Sequence, residues 1–438
     1  MTPQQNELLT RVGAGTPMGS LLRNYWIPAL TSSALVADGP PVRIRLLGED
    51  LLAFRDSSGR VGVVSPACPH RSAPLYYGRN EEGGLRCVYH GWKFDVTGAC
   101  VDLPTEEAAA KIMANVRLHA YEAIEKGQAI WVWMGAQGQA PGLPDFEWMG
   151  VPQENIHFSL RVQECNWVQA LEGSIDSAHA AILHGRVDKQ GTSVLSRSTM
   201  LSRVKQPRHE LVDSPAGVSI ATLRQLDDLS YWRITQFLMP FYTLVAPFED
   251  TLSGQAWVPM DDEHTLVFMY SYDPNKPLDP KSRDIYANGY KGRDSGHGTP
   301  NGLERRVGQP YDRYWPRFSR HNDFGIDWEE QRTRRFSGIP ALWAQDSAVQ
   351  SGLDPIVDRS RQHLGTTDAG IVRVHRRLID AATQLGEHGK PPAASRDPSS
   401  YALRSFSLSL KPGESWKDYV TLAGKPGGPV MSAGPPEA

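Results

Sequence analysis

The sequence predicts an α+β protein in two parts, an all-β domain followed by a larger domain that combines an antiparallel sheet with helices. Two observations carry this. Residues 42–134 break into short stretches of alternating apolar and polar residues punctuated by Gly and Pro, and beyond residue 144 long strand-like stretches share the chain with helical ones. At 438 residues, with roughly 150 residues per domain as a prior, two or more domains fit.

Taking the elements in order, Val42, Ile44 and Leu46 alternate with Arg43 and Arg45, the period of a half-buried strand. Residues 51–54 and 60–64 read as further strands, with Asp56, Ser57, Ser58 and Gly59 as the hairpin turn between them. Short strands continue past Gly91, Gly98 and Pro104 to an aromatic strand at 130–134. The Gly/Pro/Gln-rich loop 135–144 then marks the boundary. The predicted divisions are an N-terminal segment 1–25, a β domain 26–136, a second domain 137–424 and a flexible Pro/Gly/Ala-rich tail 425–438.

In the second domain residues 167–183 read as a helix, and 210–226, 231–245 and 253–270 as long antiparallel strands turning at 214–217 and at Asp261 and Asp262. The polar stretch 273–327 is long for a structureless loop in a compact domain, and suits a lid or a subunit contact. Two helices follow. In the last, Ile371, Val374, Leu378, Ile379, Ala382 and Leu385 form one apolar stripe, Thr366, Thr367 and Asp368 offer capping oxygens, and Gly386 is the expected stop.

Composition narrows the function. Lys+Arg 46 against Asp+Glu 49 gives a net charge of −3, so no basic field exists for nucleic acid or an anionic membrane. No apolar run reaches the length of a membrane span, and residues 1–13 lack a signal-peptide core. Four cysteines are too few for a disulfide framework. A cytoplasmic protein is expected.

Two of those cysteines pair with histidines: Cys68, Pro69, His70, and later Cys87, Val88, Tyr89, His90. Each half follows a strand, so two hairpin tips could clamp one object. Thiolate and imidazole also suit zinc, and a zinc-stabilised ligand-binding module without redox activity is the alternative from another class. A zinc finger, however, places its second pair on a helix, whereas here each loop gives one Cys and one His. That pattern fits a [2Fe–2S] cluster in which one iron takes both thiolates and the other both imidazoles. Cys100 and Cys165 have no partner motif and read as buried thiols.

The stretches CPHR (68–71) and CVYHGWKFD (87–95) resemble the signature of Rieske ring-hydroxylating oxygenases. A cluster that only moves electrons needs an acceptor, and Asp176, His179 and His184 are the candidates. Asp176 and His179 share a helix face. His179 and His184, five apart, lie about 140° apart around a regular helix, so the helix must bulge or end between them, and Gly185 permits an end. The string from Asn166 and Trp167 through Glu172, Gly173, Asp176, His179 and His184 resembles the mononuclear-iron motif of the same oxygenases.

The resemblance implies further features. The third iron ligand would be Asp346, with Asp354 and Asp358 as competing carboxylates. Asp176 would bridge an iron-bound histidine to a cluster histidine of a neighbouring protomer, in a homo-oligomer that is a trimer or a stacked-trimer hexamer. The second domain would be a helix-grip fold, a curved sheet around a long helix. Within the family the chain looks closest to the phthalate 4,5-dioxygenase type. Such an oxygenase uses O2, a Rieske [2Fe–2S] cluster, mononuclear Fe(II), and NADH through a flavin and iron–sulfur reductase, and makes a cis-dihydrodiol from an aromatic acid. Monooxygenation or O-demethylation of a substituted aromatic acid is the alternative. Phe237, Leu238, Met239, Phe241 and Tyr242 suit the walls of an aromatic pocket, and Arg203, Lys205, Arg208 and Arg233 are the cations that could pair with a carboxylate.

Overall fold

The computed structural model describes residues 1–188, 204, 206–226, 229–247, 251–287, 302–411 and 413–432. The chain starts with two short helices, each opened by a threonine cap and a proline in its first turn: Pro3–Thr10, capped by Thr2, and Pro17–Leu22, capped by Thr16. Both pack on the C-terminal helix Ala369–His388. Asn6 Nδ2 donates to the Val357 carbonyl at 3.0 Å, so the N-terminal segment is fastened to the second domain.

The first sheet comprises β1 (Trp26–Thr31), β2 (Val42–Leu46), β3 (Glu49–Arg55), β4 (Val61–Val64), β9 (Ala120–Lys126) and β10 (Ala129–Trp133), ordered β1-β10-β9-β4-β3-β2. Between β4 and β9 the chain forms a second, four-stranded sheet, β5 (Arg79–Glu81), β6 (Gly84–Arg86), β7 (Lys93–Phe94) and β8 (Cys100–Asp102). Leu52, Phe54, Val64, Leu75, Leu85, Phe94 and Leu118 form a separate small core here, which also takes in Cys68, Cys87 and Trp92.

The second domain is built on an antiparallel sheet of β11 (Ile156–Gln163), β12 (Arg208–Asp213), β13 (Gly217–Leu226), β14 (Leu229–Leu238), β15 (Tyr242–Val245), β16 (Leu252–Pro259) and β17 (Thr265–Tyr272). Its order is β11-β17-β16-β15-β14-β13-β12. After a two-residue pair, β18 (Leu303–Glu304) with β19 (Trp315–Pro316), the late strand β20 (Phe406–Leu410) joins β14.

Register decides which side chains share a face. Ser159 pairs with Met269, Met269 with Gln255, Gln255 with Thr243, Thr243 with Phe237 and Phe237 with Val218. The helix Trp167–Ile175 lies on this face, where Ser174 Oγ is 2.8 Å from Thr243 Oγ1 and 2.7 Å from Gln255 Oε1. The other face looks toward the N-terminal domain: Tyr242 Oη donates to the Trp26 carbonyl at 2.7 Å.

Several expectations need correction. The helix starting at Trp167 ends at Ile175 instead of running to Leu183, because Asp176 is extended (φ −89°, ψ 114°). The C-terminal helix passes Gly386 and stops at His388, with Gly389 left-handed at φ 64°; Gly386 is accommodated as an ordinary helical residue. The tail is not loose as far as residue 432, since Ser407 N–H donates to the Met431 carbonyl and Ser407 bridges to Ser432. The polar stretch 273–327 contains the helix Pro280–Ala287, β18, β19 and a 3₁₀ turn Arg320–Gly325. Among the described residues no helix is long and apolar enough to cross a membrane.

Candidate metal centres

The two Cys/His loops repeat one backbone design. Cys68 N–H donates to the Ala73 carbonyl and the Ser72 N–H returns to the Cys68 carbonyl; Cys87 N–H donates to the Trp92 carbonyl and the Gly91 N–H returns to the Cys87 carbonyl. In both, the residue four after the cysteine is left-handed, Ser72 at φ 56° and Gly91 at φ 77°. Only at the second is glycine also demanded by space, since a Cβ there would sit 2.6 Å from Pro104 Cγ. The loops bring the buried Cys68 and Cys87 thiols within hydrogen-bonding reach and set the His70 and His90 rings edge to face, centroids 4.6 Å apart. Trp92 stacks flat on His70 at 4.4 Å.

Burial, with the neighbouring Cys87, pushes the Cys68 thiol up to about 11. A buried thiol in that state needs a cation to become a thiolate. The His70 Nδ1 is buried without a hydrogen-bond partner. Around one tetrahedral zinc four such donors would sit roughly 3.3–3.8 Å apart. The only group among the described residues whose donor atoms all lie within 4.8 Å of one another is elsewhere. Two donor pairs held apart fit two irons better than one zinc.

That converging group is His179, His184 and Asp346. The broken helix explains how residues five apart meet. After Asp176 the chain makes a 3₁₀ turn, His179–Ala181, and Leu183 N–H closes on the His179 carbonyl at 2.9 Å. Asp346 comes from the helix Leu342–Ser351, which packs on the helix Trp167–Ile175. Its Oδ1 is 3.5 Å from His179 Nε2 and 3.4 Å from His184 Nε2. Asp346 Oδ1 is buried and without a hydrogen bond. Burial opposes ionisation of Asp346, but the two histidines outweigh it and hold its carboxyl well below the usual range. Conversely, burial disfavours a charged His179, and the neighbouring Asp176 and Asp346 carboxylates override it, pushing the imidazole up to about 10. A buried carboxylate oxygen without a hydrogen bond, facing two imidazole nitrogens, is a donor set that fits a metal cation.

The surrounding groups hold this geometry. Asp176 Oδ2 is 3.3 Å from His179 Nδ1, and its Oδ1 accepts from Ala178 N–H at 2.7 Å. Burial raises the Asp176 carboxyl, but the neighbouring His179 outweighs it and brings the group below its ordinary value. Arg224, fully buried on β13, donates to the Ser177 carbonyl at 2.6 Å and to Ser177 Oγ at 3.2 Å, pinning the residue next to Asp176. Deeper in, Glu172 Oε1 is 2.8 Å from both Arg359 Nε and His375 Nε2, and Arg359 also donates to Asn6 Oδ1 at 3.2 Å. Glu172 lies within the string that resembles the iron motif, whereas Arg224 and His375 carried no motif of their own in the sequence.

Of the other expected site residues, Arg203 and Lys205 lie outside the described residues. Arg208 is exposed on β12 and pairs with Leu223, on the side of the sheet opposite Arg224. Phe241 is a correction: its ring is fully buried in the close-packed core against Tyr242, and by the alternation of β14 and β15 Leu238 and Tyr242 face away from the helix Trp167–Ile175. Of that set, Phe237 shares the helix-facing side. Arg233 is buried and donates to the Ala246 carbonyl at 2.8 Å. Asp354 and Asp358 do not compete for the iron; both are exposed, and Asp358 caps its own turn through Ser360 N–H at 3.0 Å. Cys165 is a fully buried thiol, and Cys100 is buried too.

Residues 25–121 match the Rieske [2Fe-2S] domain family, and residues 132–425 match the family described as LigXa C-terminal domain like. The chain belongs to the Rieske non-haem iron oxygenases. This Rieske oxygenase is 37% identical to the 3-chlorobenzoate-3,4-dioxygenase oxygenase subunit of Comamonas testosteroni, over 93% of this chain and 95% of that one. It is 35% identical to the phthalate 4,5-dioxygenase oxygenase subunit of Pseudomonas putida, over 96% and 94%. Its fold is shared with the crystal structure of dicamba monooxygenase bound to dicamba, at a TM-score of 0.59, 18% identity, and coverage of 84% and 99%. The protein is therefore an oxidoreductase that carries a Rieske [2Fe–2S] cluster and a mononuclear iron, and the zinc-stabilised binding module is set aside.

Proposed function

We propose that this chain is the oxygenase component of a dioxygenase for an aromatic carboxylate such as phthalate. With O2 and two electrons from NADH, passed through a separate flavin and iron–sulfur reductase, it would form a cis-dihydrodiol. The carrying observation is the convergence of His179, His184 and Asp346 on one point, in a chain similar over nearly its whole length to two oxygenase subunits named for aromatic acids.

In this reading Cys68, Cys87, His70 and His90 would hold the cluster, and His179, His184 and Asp346 would hold the iron. The cluster supplies single electrons and the iron supplies oxygen activation. The protein's own share is positioning. Asp176 Oδ2, 3.3 Å from His179 Nδ1, would hold the ring, and it would bridge to a cluster histidine of a neighbouring protomer. Exposed apolar groups border both centres: Val88 and Tyr89 beside His90, and Phe336 and Val187 beside the loop carrying His184, with Phe336 N–H on the Gly185 carbonyl. Such surfaces suit the trimer or stacked-trimer hexamer of this reading.

Positive charge for a carboxylate is available on the helix-facing side of the sheet. Arg161, on β11, reaches close enough to Asp346 to feel its charge and has no hydrogen bond at Nε. Burial is what lowers its guanidinium to about 10. Oxygen uptake with NADH and a partner reductase, scored by product across phthalate isomers and methoxybenzoates, tests the reading. A cis-dihydrodiol supports it. Formaldehyde from the methoxy acids with no diol from any substrate would replace it by O-demethylation.

A further inference from the structure

His184 has one ring nitrogen, Nε2, turned toward Asp346; its other, Nδ1, is 2.7 Å from Oε1 of Gln345, the residue just before Asp346. Gln345 is buried. Its amide nitrogen donates to the Ile339 carbonyl at 2.7 Å. These two contacts remove the usual ambiguity of amide and imidazole orientation. A backbone carbonyl can only accept, so the Gln345 NH2 must face Ile339 and the amide oxygen must face His184. An amide oxygen can only accept, so His184 Nδ1 must carry the hydrogen. The lone pair is then on Nε2, the atom that points to the iron position.

We propose that Gln345 is a positioning residue that fixes the tautomer and ring plane of His184 for metal binding, relaying the orientation of the Ile339 carbonyl. The inference rests on His184 being an iron ligand. It sets the two histidines apart: His179 is oriented by a carboxylate, Asp176, which adds charge, and His184 by a neutral amide, which adds none. The sequence puts orienter and ligand side by side, Gln345 and Asp346, because successive residues on a helix diverge by about 100°. One can then ligate while the other reaches around to the back of His184.

The test is Fe(II) binding to enzyme depleted of mononuclear iron, with the retained visible band of the cluster as the folding control. Gln345→Leu fills the same space without an acceptor and is expected to bind Fe(II) about 10–100-fold more weakly. Gln345→Glu keeps an acceptor for Nδ1–H but loses the donor to Ile339, and should recover part of that loss. With Co(II) alone as probe, the visible spectrum of Gln345→Leu should differ from wild type and that of Gln345→Glu should stay close to it. Should Gln345→Leu fail to fold, Gln345→Asn takes its place: one methylene short, it cannot span both partners, and the same weakening is expected. Wild-type affinity in Gln345→Leu or Gln345→Asn, or equal losses in Gln345→Leu and Gln345→Glu, would overturn the proposal. His184→Ala separates the two levels. If it keeps the mononuclear iron, the ligand assignment itself falls and the proposal with it.

Discussion

The cluster loops draw every candidate ligand from positions 68 to 90, on two turns with the same hydrogen-bond pattern and their own small core. The mononuclear centre gathers residues from 179 to 346 and leans on a long chain of supports, from Arg224 behind Ser177 to Glu172, Arg359, His375 and Asn6. A centre made locally is held by the turn chemistry of its loops. A centre made across the fold depends on buried polar contacts between elements, so distant substitutions should reach the second and spare the first.

The largest effects should separate the two centres. Cys87→Ser should abolish the visible cluster band and all turnover while the mononuclear iron stays bound, measured by metal analysis and optical spectroscopy; loss of both centres together would break the distinction. Next, Asp176→Asn should retain both centres, since it removes charge but little volume, yet lower product formation on the order of 100-fold. Product formation close to wild type would refute the bridging role.

The support network gives a pH signature. Burial works against ionising Glu172, but Arg359 and then His375 prevail and bring its carboxyl down to about 2 from an ordinary 4.5. A carboxylate depressed on folding contributes stability above its unfolded value and loses it as pH falls toward the folded one. Wild-type stability should therefore drop between about pH 4.5 and 2. Glu172→Gln should flatten that limb and cost about 3–5 kcal/mol at neutral pH, because Arg359 stays buried without its partner charge. Denaturant unfolding across pH reads both. The smallest effect lies inside the cluster loops: Ser72→Gly should stabilise by up to about 1 kcal/mol by relieving a left-handed serine, while Gly91→Ser should destabilise by about 1–3 kcal/mol, since it meets Pro104. Thermal unfolding of the pair compares the two turns directly.

The same contrast governs what could be read from the sequence. Cys68, His70, Cys87 and His90 are close enough in the chain for spacing alone to suggest a two-iron cluster, and the strands around them follow a plain period of two. The second centre was legible only through its resemblance to a known motif, because five residues between His179 and His184 is a wrong interval for a regular helix. The break at Asp176 that resolves it is a backbone event without a Pro or Gly at the site. Tyr242 is aromatic and strand-borne, as a pocket wall should be, and Phe241 precedes it in the turn after β14, but composition cannot say which face of a strand is which until register is known. Gln345 was invisible for the complementary reason: a glutamine beside a ligand means nothing until its two partners, Ile339 and His184, are seen.

Two separate iron centres held by these residues should be countable by metal analysis. Wild-type protein should contain about three irons and two acid-labile sulfides per chain, and His179→Ala about two irons with the cluster spectrum unchanged. A zinc-containing, colourless protein, or an iron count that His179→Ala leaves untouched, would contradict it.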